Sequence, residues 1–256
     1  MLERELRKAL EARQFELHYQ PQFLADDTGK RVPHAVEALI RWRHPQLGMI
    51  SPARFIPVAE ETGMIEPIGD WVLDEACRQL AVWRARGIGP GHVAVNLSAQ
   101  QLRSPELVAK VAACLARHAI ERDALELEIT ESVAMQDPAG AIEQLQALRA
   151  LGVTLAIDDF GTGYSSLAYL KRLPIQVLKI DREFVRDIET DENDAAISAA
   201  TLALAHSLGL KVVAEGIETP GQGQFLREHG CDLLQGYLYG RPEPAADLEQ
   251  RWQLSV

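Results

Sequence analysis

The chain has 256 residues, 47% hydrophobic and 25% charged, with 26 Lys+Arg against 37 Asp+Glu, for a formal net charge of −11. Length and composition describe an acidic globular chain, and a single α/β barrel takes about 250 residues by itself. The acidic balance argues against a protein that grips long nucleic acid or a membrane surface through basic patches. Three cysteines, Cys77, Cys114 and Cys231, form no short CxxC spacing and so predict neither a disulfide framework nor a cysteine zinc site. They read as packing residues in a reducing, cytoplasmic setting. No apolar run approaches the roughly 18 residues of a membrane span, and MLERELRKALEARQ is too charged for a signal peptide.

In chain order, residues 1–14 read as an amphipathic lead-in helix, and FELHYQP and HAVEALIRW as strands. Helix starts follow at Ser51-Pro52, Ser104-Pro105, Asp137-Pro138 and Thr219-Pro220. In each, a capping oxygen precedes a proline whose missing N–H had no helical partner to lose. Gly87, Gly152, Gly209 and Gly230 close helical stretches. After them come HVAVNLS, VTLAIDD, LKVVAEG and CDLLQG, short apolar runs with polar ends, and ALELEITE and IQVLKID have the same form. Strand, helix, strand in repetition implies parallel pairing in a sheet buried on both faces. Eight strands predict a closed (β/α)8 TIM-like barrel. A doubly wound open sheet is the rival, less favoured by strand count and length.

In such a barrel the C-terminal strand ends converge on one face. The residues delivered there are Glu37, Asn96, Glu128, Asp158 with Asp159, Lys179, Glu215 and Gln235. Five carboxylates on one rim would raise each other's pKa severely unless cations sat among them. All-oxygen donors favour Mg²⁺ or Mn²⁺ over zinc. Taken singly, an acid at a strand end is an ordinary turn or cap residue, Lys179 an ordinary ion-pair partner, and DDFGTG a tight turn. The seven histidines show no HExxH-like spacing and read as surface or core residues. Alternation places Glu37, Leu39 and Arg41 on one strand face, where an unpaired charge is costly.

At these residues the sequence resembles the EAL domain family, bacterial phosphodiesterases acting on cyclic di-GMP. Glu37-Ala38-Leu39 stands within EALIRWRHP. YQP at Tyr19–Pro21, NLS at Asn96–Ser98, ELEITES, DDFGTGYSSL, LKID, AEGIE and QGY at Gln235–Tyr237 follow the family's order over nearly the whole chain. The resemblance implies an α/β fold, a modified (β/α)8 barrel with one antiparallel strand, over residues 15–256, with residues 1–14 leading in from an upstream domain such as a cyclase-like one. It implies a two-metal mechanism hydrolysing cyclic di-GMP to linear pGpG. Glu37, Asn96, Glu128 and Asp158 are then ligands of a first ion, and Asp158, Asp159 and Glu215 help hold a second. Mg²⁺ or Mn²⁺ is expected to support activity and Ca²⁺ to inhibit. Lys179 binds, orients and can deprotonate the attacking water, so that Lys179, Glu37 and Asp158 carry the chemistry. Gln20, Leu39, Arg41 and Gln235 contact substrate, the arginine being suited to a phosphate oxygen. Glu131 steadies the loop bearing Asp159. A homodimer through residues near Tyr164–Leu170 is a further expectation. The rivals are a noncatalytic cyclic di-GMP receptor and an unrelated barrel enzyme pairing carboxylate-bound Mg²⁺ with a lysine base.

Overall fold

The computed structural model describes residues 2–26, 32–161 and 167–253. The expected dimer segment lies partly outside them, at 164–166. Eight strands form the barrel: β1 (Phe15–Leu24), β2 (Ala35–His44), β4 (His92–Asn96), β5 (Leu125–Thr130), β6 (Thr154–Phe160), β7 (Val177–Ile180), β8 (Lys211–Ala214) and β9 (Leu233–Gln235). Two short strands extend its edges, β3 (Gly48–Ile50) on β2 and β10 (Glu243–Pro244) on β1. Around the barrel the order is β1-β9-β8-β7-β6-β5-β4-β2, and β1 pairs with β2 to close it.

All eight expected strands are present, and β1 is the antiparallel one, opposing both β2 and β9. The remaining neighbours run parallel. The inversion of β1 follows from chain length. Only ten residues separate Leu24 from Ala35, too few for the crossover that a parallel neighbour requires, so the two strands form a hairpin.

The helix signals largely hold. Thr219 and Gln222 build a reciprocal capping box, and Asp137 accepts from the Gly140 N–H. Ser51 caps its helix without a side-chain bond. Ser104-Pro105 is displaced: the helix begins at Leu107, because Ser104 still ends the short helix Ala99–Arg103 and the intervening residues form a turn. The four stop glycines all adopt positive φ. The first helix, Leu2–Glu11, buries Leu6 and Ala9 in the main core.

That core fills the space between strands and helices. Phe15, Trp42 and Phe55 meet with ring centroids 5.6–5.8 Å apart, and Trp83 contacts Tyr19 edge-on at 4.9 Å. Inside the barrel a small separate cluster of Ala156, Val177, Val213 and Leu233 plugs the lumen. Each of these precedes by two residues Asp158, Lys179, Glu215 or Gln235. Because strand side chains alternate, the apolar layer and the polar layer stack on the same inward faces. The plug therefore forms the floor on which the polar residues stand.

Candidate active site

Strand register sets the neighbours around the rim. Gln20 stands opposite Glu37, Gln22 opposite Gln235, and Asn96 opposite Glu128. Their side chains bond accordingly. Asn96 donates to Glu37 Oε1 at 2.7 Å, and Gln235 donates to Glu37 Oε2 at 2.7 Å. Gln22 donates to Gln235 Oε1 at 2.8 Å, while Gln20 accepts from the Gln235 side-chain amide and donates to the Gly240 carbonyl. A glycine must follow Gln235, since a Cβ at Gly236 would lie 2.1 Å from the Ile217 carbonyl oxygen.

Lys179 is the hub. Its fully buried Nζ lies 2.5 Å from Glu215, 2.9 Å from Glu128, 3.4 Å from Asp158 and 3.7 Å from Glu37. Burial disfavours its charge, but the fields of Asp158, Glu128, Glu215 and Glu37 outweigh burial and hold its pKa well above the ordinary lysine value. In this arrangement Lys179 is an ammonium that donates to Glu128. One lysine does not neutralise the group. Burial, opposed by Lys179 and reinforced by neighbouring acids, raises Glu128 well above the usual range and pushes Glu215 to about 8. For Glu37, burial is overcome by Lys179 and the Gln235 and Asn96 hydrogen bonds, and its pKa falls.

Asp158 and Asp159 depend on an irregularity. The β6–β7 register shifts between Ile157 and Phe160, and Asp159 takes a left-handed φ of 53°. Regular alternation would aim the two aspartates to opposite faces. Here Asp158 reaches Lys179 while Asp159 lines the cleft above. Burial, Asp158 and a hydrogen bond with Asp181 push Asp159 to about 7. The turn is held by Glu131, whose Oε2 accepts from the Gly161 N–H at 2.9 Å. Glu131 thus stands behind the turn.

The cleft measures about 950 Å³ and is lined by Gln20, Glu37, Leu39, Asp159, Glu215 and Gln235, with Arg182, Arg186 and Tyr237 on its walls. Asn96, Glu128, Asp158 and Lys179 are not among its lining residues, nor is Arg41. Arg41 is half-buried, which lowers its pKa against the field of Glu37, and it donates to the Ile40 carbonyl. The sequence reading missed Arg182, Arg186 and Asp181, which follow β7, and Glu126. Glu126 shares the inward face of β5 with Glu128, and burial pushes it to about 7. Its signal was the ELE alternation.

The donor set fits hard cations. Every expected ligand offers oxygen. The Asn96 amide nitrogen is spent on Glu37, which leaves its carbonyl oxygen to offer. Glu128 Oε1 is buried with no hydrogen-bond partner among the described residues, an orphaned acceptor of the kind a cation satisfies.

A profile of the EAL domain family matches residues 3–242. The chain belongs to the EAL domain family. The chain is 53% identical over 244 residues to the bifunctional diguanylate cyclase/cyclic di-GMP phosphodiesterase MucR of Pseudomonas aeruginosa, covering 95% of this chain and 35% of that protein. It is 51% identical to the cyclic di-GMP phosphodiesterase NbdA of the same organism, covering 97% of this chain and 31% of the relative. This EAL chain thus spans about a third of the curated relatives it matches. The solved structure of the MucR phosphodiesterase in complex with c-di-GMP superimposes with a TM-score of 0.91 at 52% identity, over 96% of this chain and 99% of the other. Membership in the EAL family implies use of a divalent metal. Among the described residues, no helix is long and apolar enough to cross a membrane.

Proposed function

We propose that this chain hydrolyses cyclic di-GMP to linear pGpG. The observation that carries the reading is the convergence of Glu37, Glu128, Asp158 and Glu215 on Lys179 beneath a cleft of dinucleotide size. Glu37, Asn96, Glu128 and Asp158 would hold one Mg²⁺ or Mn²⁺, and Asp158, Asp159 and Glu215 a second, with Ca²⁺ inhibitory. When bound, such ions lower the pKa of a water and neutralise charge as the 3′ oxygen departs.

The chain's own residues do the rest. Lys179, held as an ammonium, orients the nucleophile by donating to it and offsets negative charge at the reacting phosphate. Gln20, Leu39 and Gln235 seat the substrate on the cleft floor, and Arg41 meets a phosphate oxygen at its edge. Glu131 keeps Asp159 in position through Gly161. The plug of Ala156, Val177, Val213 and Leu233 closes the lumen beneath the polar layer and keeps bulk water from entering from below. A homodimer through the region of residues 164–170 and a cytoplasmic setting belong to the same reading.

Asp158→Asn tests it. The variant should fold, lose at least about a thousandfold in turnover and still bind the nucleotide. Full turnover with Mg²⁺ would remove Asp158 from its role. A receptor domain would bind cyclic di-GMP and return it uncut in the parent chain as well.

A further inference from the structure

We propose that Asp74, Cys114 and His118 form a second cation site, of the zinc class, that ties two outer helices together. Helix Ile65–Ala85 supplies Asp74, and helix Leu107–His118 supplies Cys114 and His118. The spacing of four residues puts Cys114 and His118 on one helix face, one turn apart. A ligand atom from each of the three lies within 4.8 Å of the others. His118 Nε2 is already 2.9 Å from Asp74 Oδ1. Tetrahedral coordination at ordinary zinc bond lengths needs ligand atoms about 3.3–3.8 Å apart. Side-chain adjustments of about an ångström therefore close the site.

The donor chemistry distinguishes this site from the barrel. One thiolate, one imidazole and one carboxylate suit zinc and are poor ligands for Mg²⁺ or Ca²⁺. The Cys114 thiol is buried, makes a long, 3.6 Å contact to the Leu73 carbonyl and accepts from the Cys77 thiol, both weak sulfur contacts that coordination would replace. Cys77, one turn beyond Asp74, is a neighbouring second thiol. On the other side, the Asp74 side chain is 40% exposed, which gives a path from solvent and room for a water as fourth ligand. The site lies at the C-terminal end of helix Leu107–His118, where the helix dipole favours a cation. Arg117 is the opposing charge. Its guanidinium bonds the same Asp74 oxygen at 2.6 Å, but its side chain is 64% exposed and can swing into water as the ion enters. Binding releases the Cys114 proton to solvent. Since β4, which carries Asn96, lies between these two helices in the chain, the ion would brace the flank behind one wall of the barrel site.

Cobalt titration of the reduced, full chain tests this, because only a thiolate ligand gives a near-ultraviolet sulfur-to-cobalt charge-transfer band. The band should saturate, be displaced by Zn²⁺, and persist in Asp158→Asn and in Cys77→Ser. It should vanish in Cys114→Ser, and His118→Ala should weaken cobalt binding at the band by at least about tenfold. Absence of the band at saturating Co²⁺, or its survival in Cys114→Ser, overturns the proposal. His118→Ala, at a partly exposed position, keeps the test decisive if the Cys114 variant fails to fold, since undiminished binding in it also overturns the site.

Discussion

Lys179 is the residue on which the site's charge balance rests. It is fully buried and stands within 3.7 Å of four carboxylates. Removing one partner from a buried ionic group strands the others and typically costs about 3–5 kcal/mol. Lys179→Met keeps the stem and removes the charge. In chelator the variant should lose stability of that order by denaturant unfolding, saturating Mg²⁺ should recover part of it, and turnover should be abolished under both conditions. Unchanged stability in chelator would mean that the ammonium does not offset the charge left on its buried neighbours. At this scale the sequence was informative where a polar residue ended an apolar run, as with Lys179 and Glu215. Glu126 was missed, although it sits two residues before Glu128 on the same inward face. Period two cannot say whether the polar face of a strand meets water or the inside of a barrel.

Among elements, β6 and its turn do the positioning. The register shift, the left-handed Asp159 and the Glu131–Gly161 bond act together. Glu131→Ala leaves the Gly161 N–H without its acceptor, at a cost of about 1–3 kcal/mol. We expect kcat to fall more than nucleotide affinity, and Glu131→Gln, which keeps an acceptor oxygen, to restore most of it. Equal loss in both variants would show that charge, not the bond, is what Glu131 contributes. Gly236→Ala makes a second element-scale prediction. Its methyl would press into the Ile217 backbone, so the β9 end must move and Gln235 with it. A melting temperature unchanged from the parent would contradict that packing. The strands themselves were legible because a barrel strand is apolar on both faces, and all eight were found. That one strand runs antiparallel was not readable from the repeat and came from the family resemblance, and the structure shows it to be β1. Yet the short link to β2, with no helical pattern in it, held the reason. The two short strands β3 and β10 carry too few residues for any periodicity to show.

For the whole molecule, the charge of −11 takes on a different meaning. It discourages contact with long nucleic acid, but six of the acids, Glu37, Glu128, Glu131, Asp158, Asp159 and Glu215, belong to or support the site, where bound divalent ions would reverse the local sign. The consequence is a pH dependence of stability. Glu215 at about 8, Asp159 and Glu126 at about 7, and Glu128 raised well above normal all hold protons in the folded chain that the unfolded chain has released. Between about pH 5 and 8 the native state therefore binds more protons, and stability falls as pH rises. Glu37 and Lys179 lie outside this window, one losing its contribution at lower pH and the other at higher. Metal-free protein should melt at lower temperature at pH 8 than at pH 6, and Mg²⁺ should remove or reverse the slope. A flat profile in chelator would mean that the acids are not desolvated together.

The activity proposed for this chain is the cutting of cyclic di-GMP with the help of divalent cations. Purified protein incubated with cyclic di-GMP in Mg²⁺, Mn²⁺, Ca²⁺ or chelator, with the nucleotides separated afterwards, tests it most directly. pGpG should form with Mg²⁺ and Mn²⁺, and cyclic di-GMP should stay intact with Ca²⁺ or chelator. Intact cyclic di-GMP under every condition, from protein that demonstrably binds it, would contradict hydrolysis and identify a receptor.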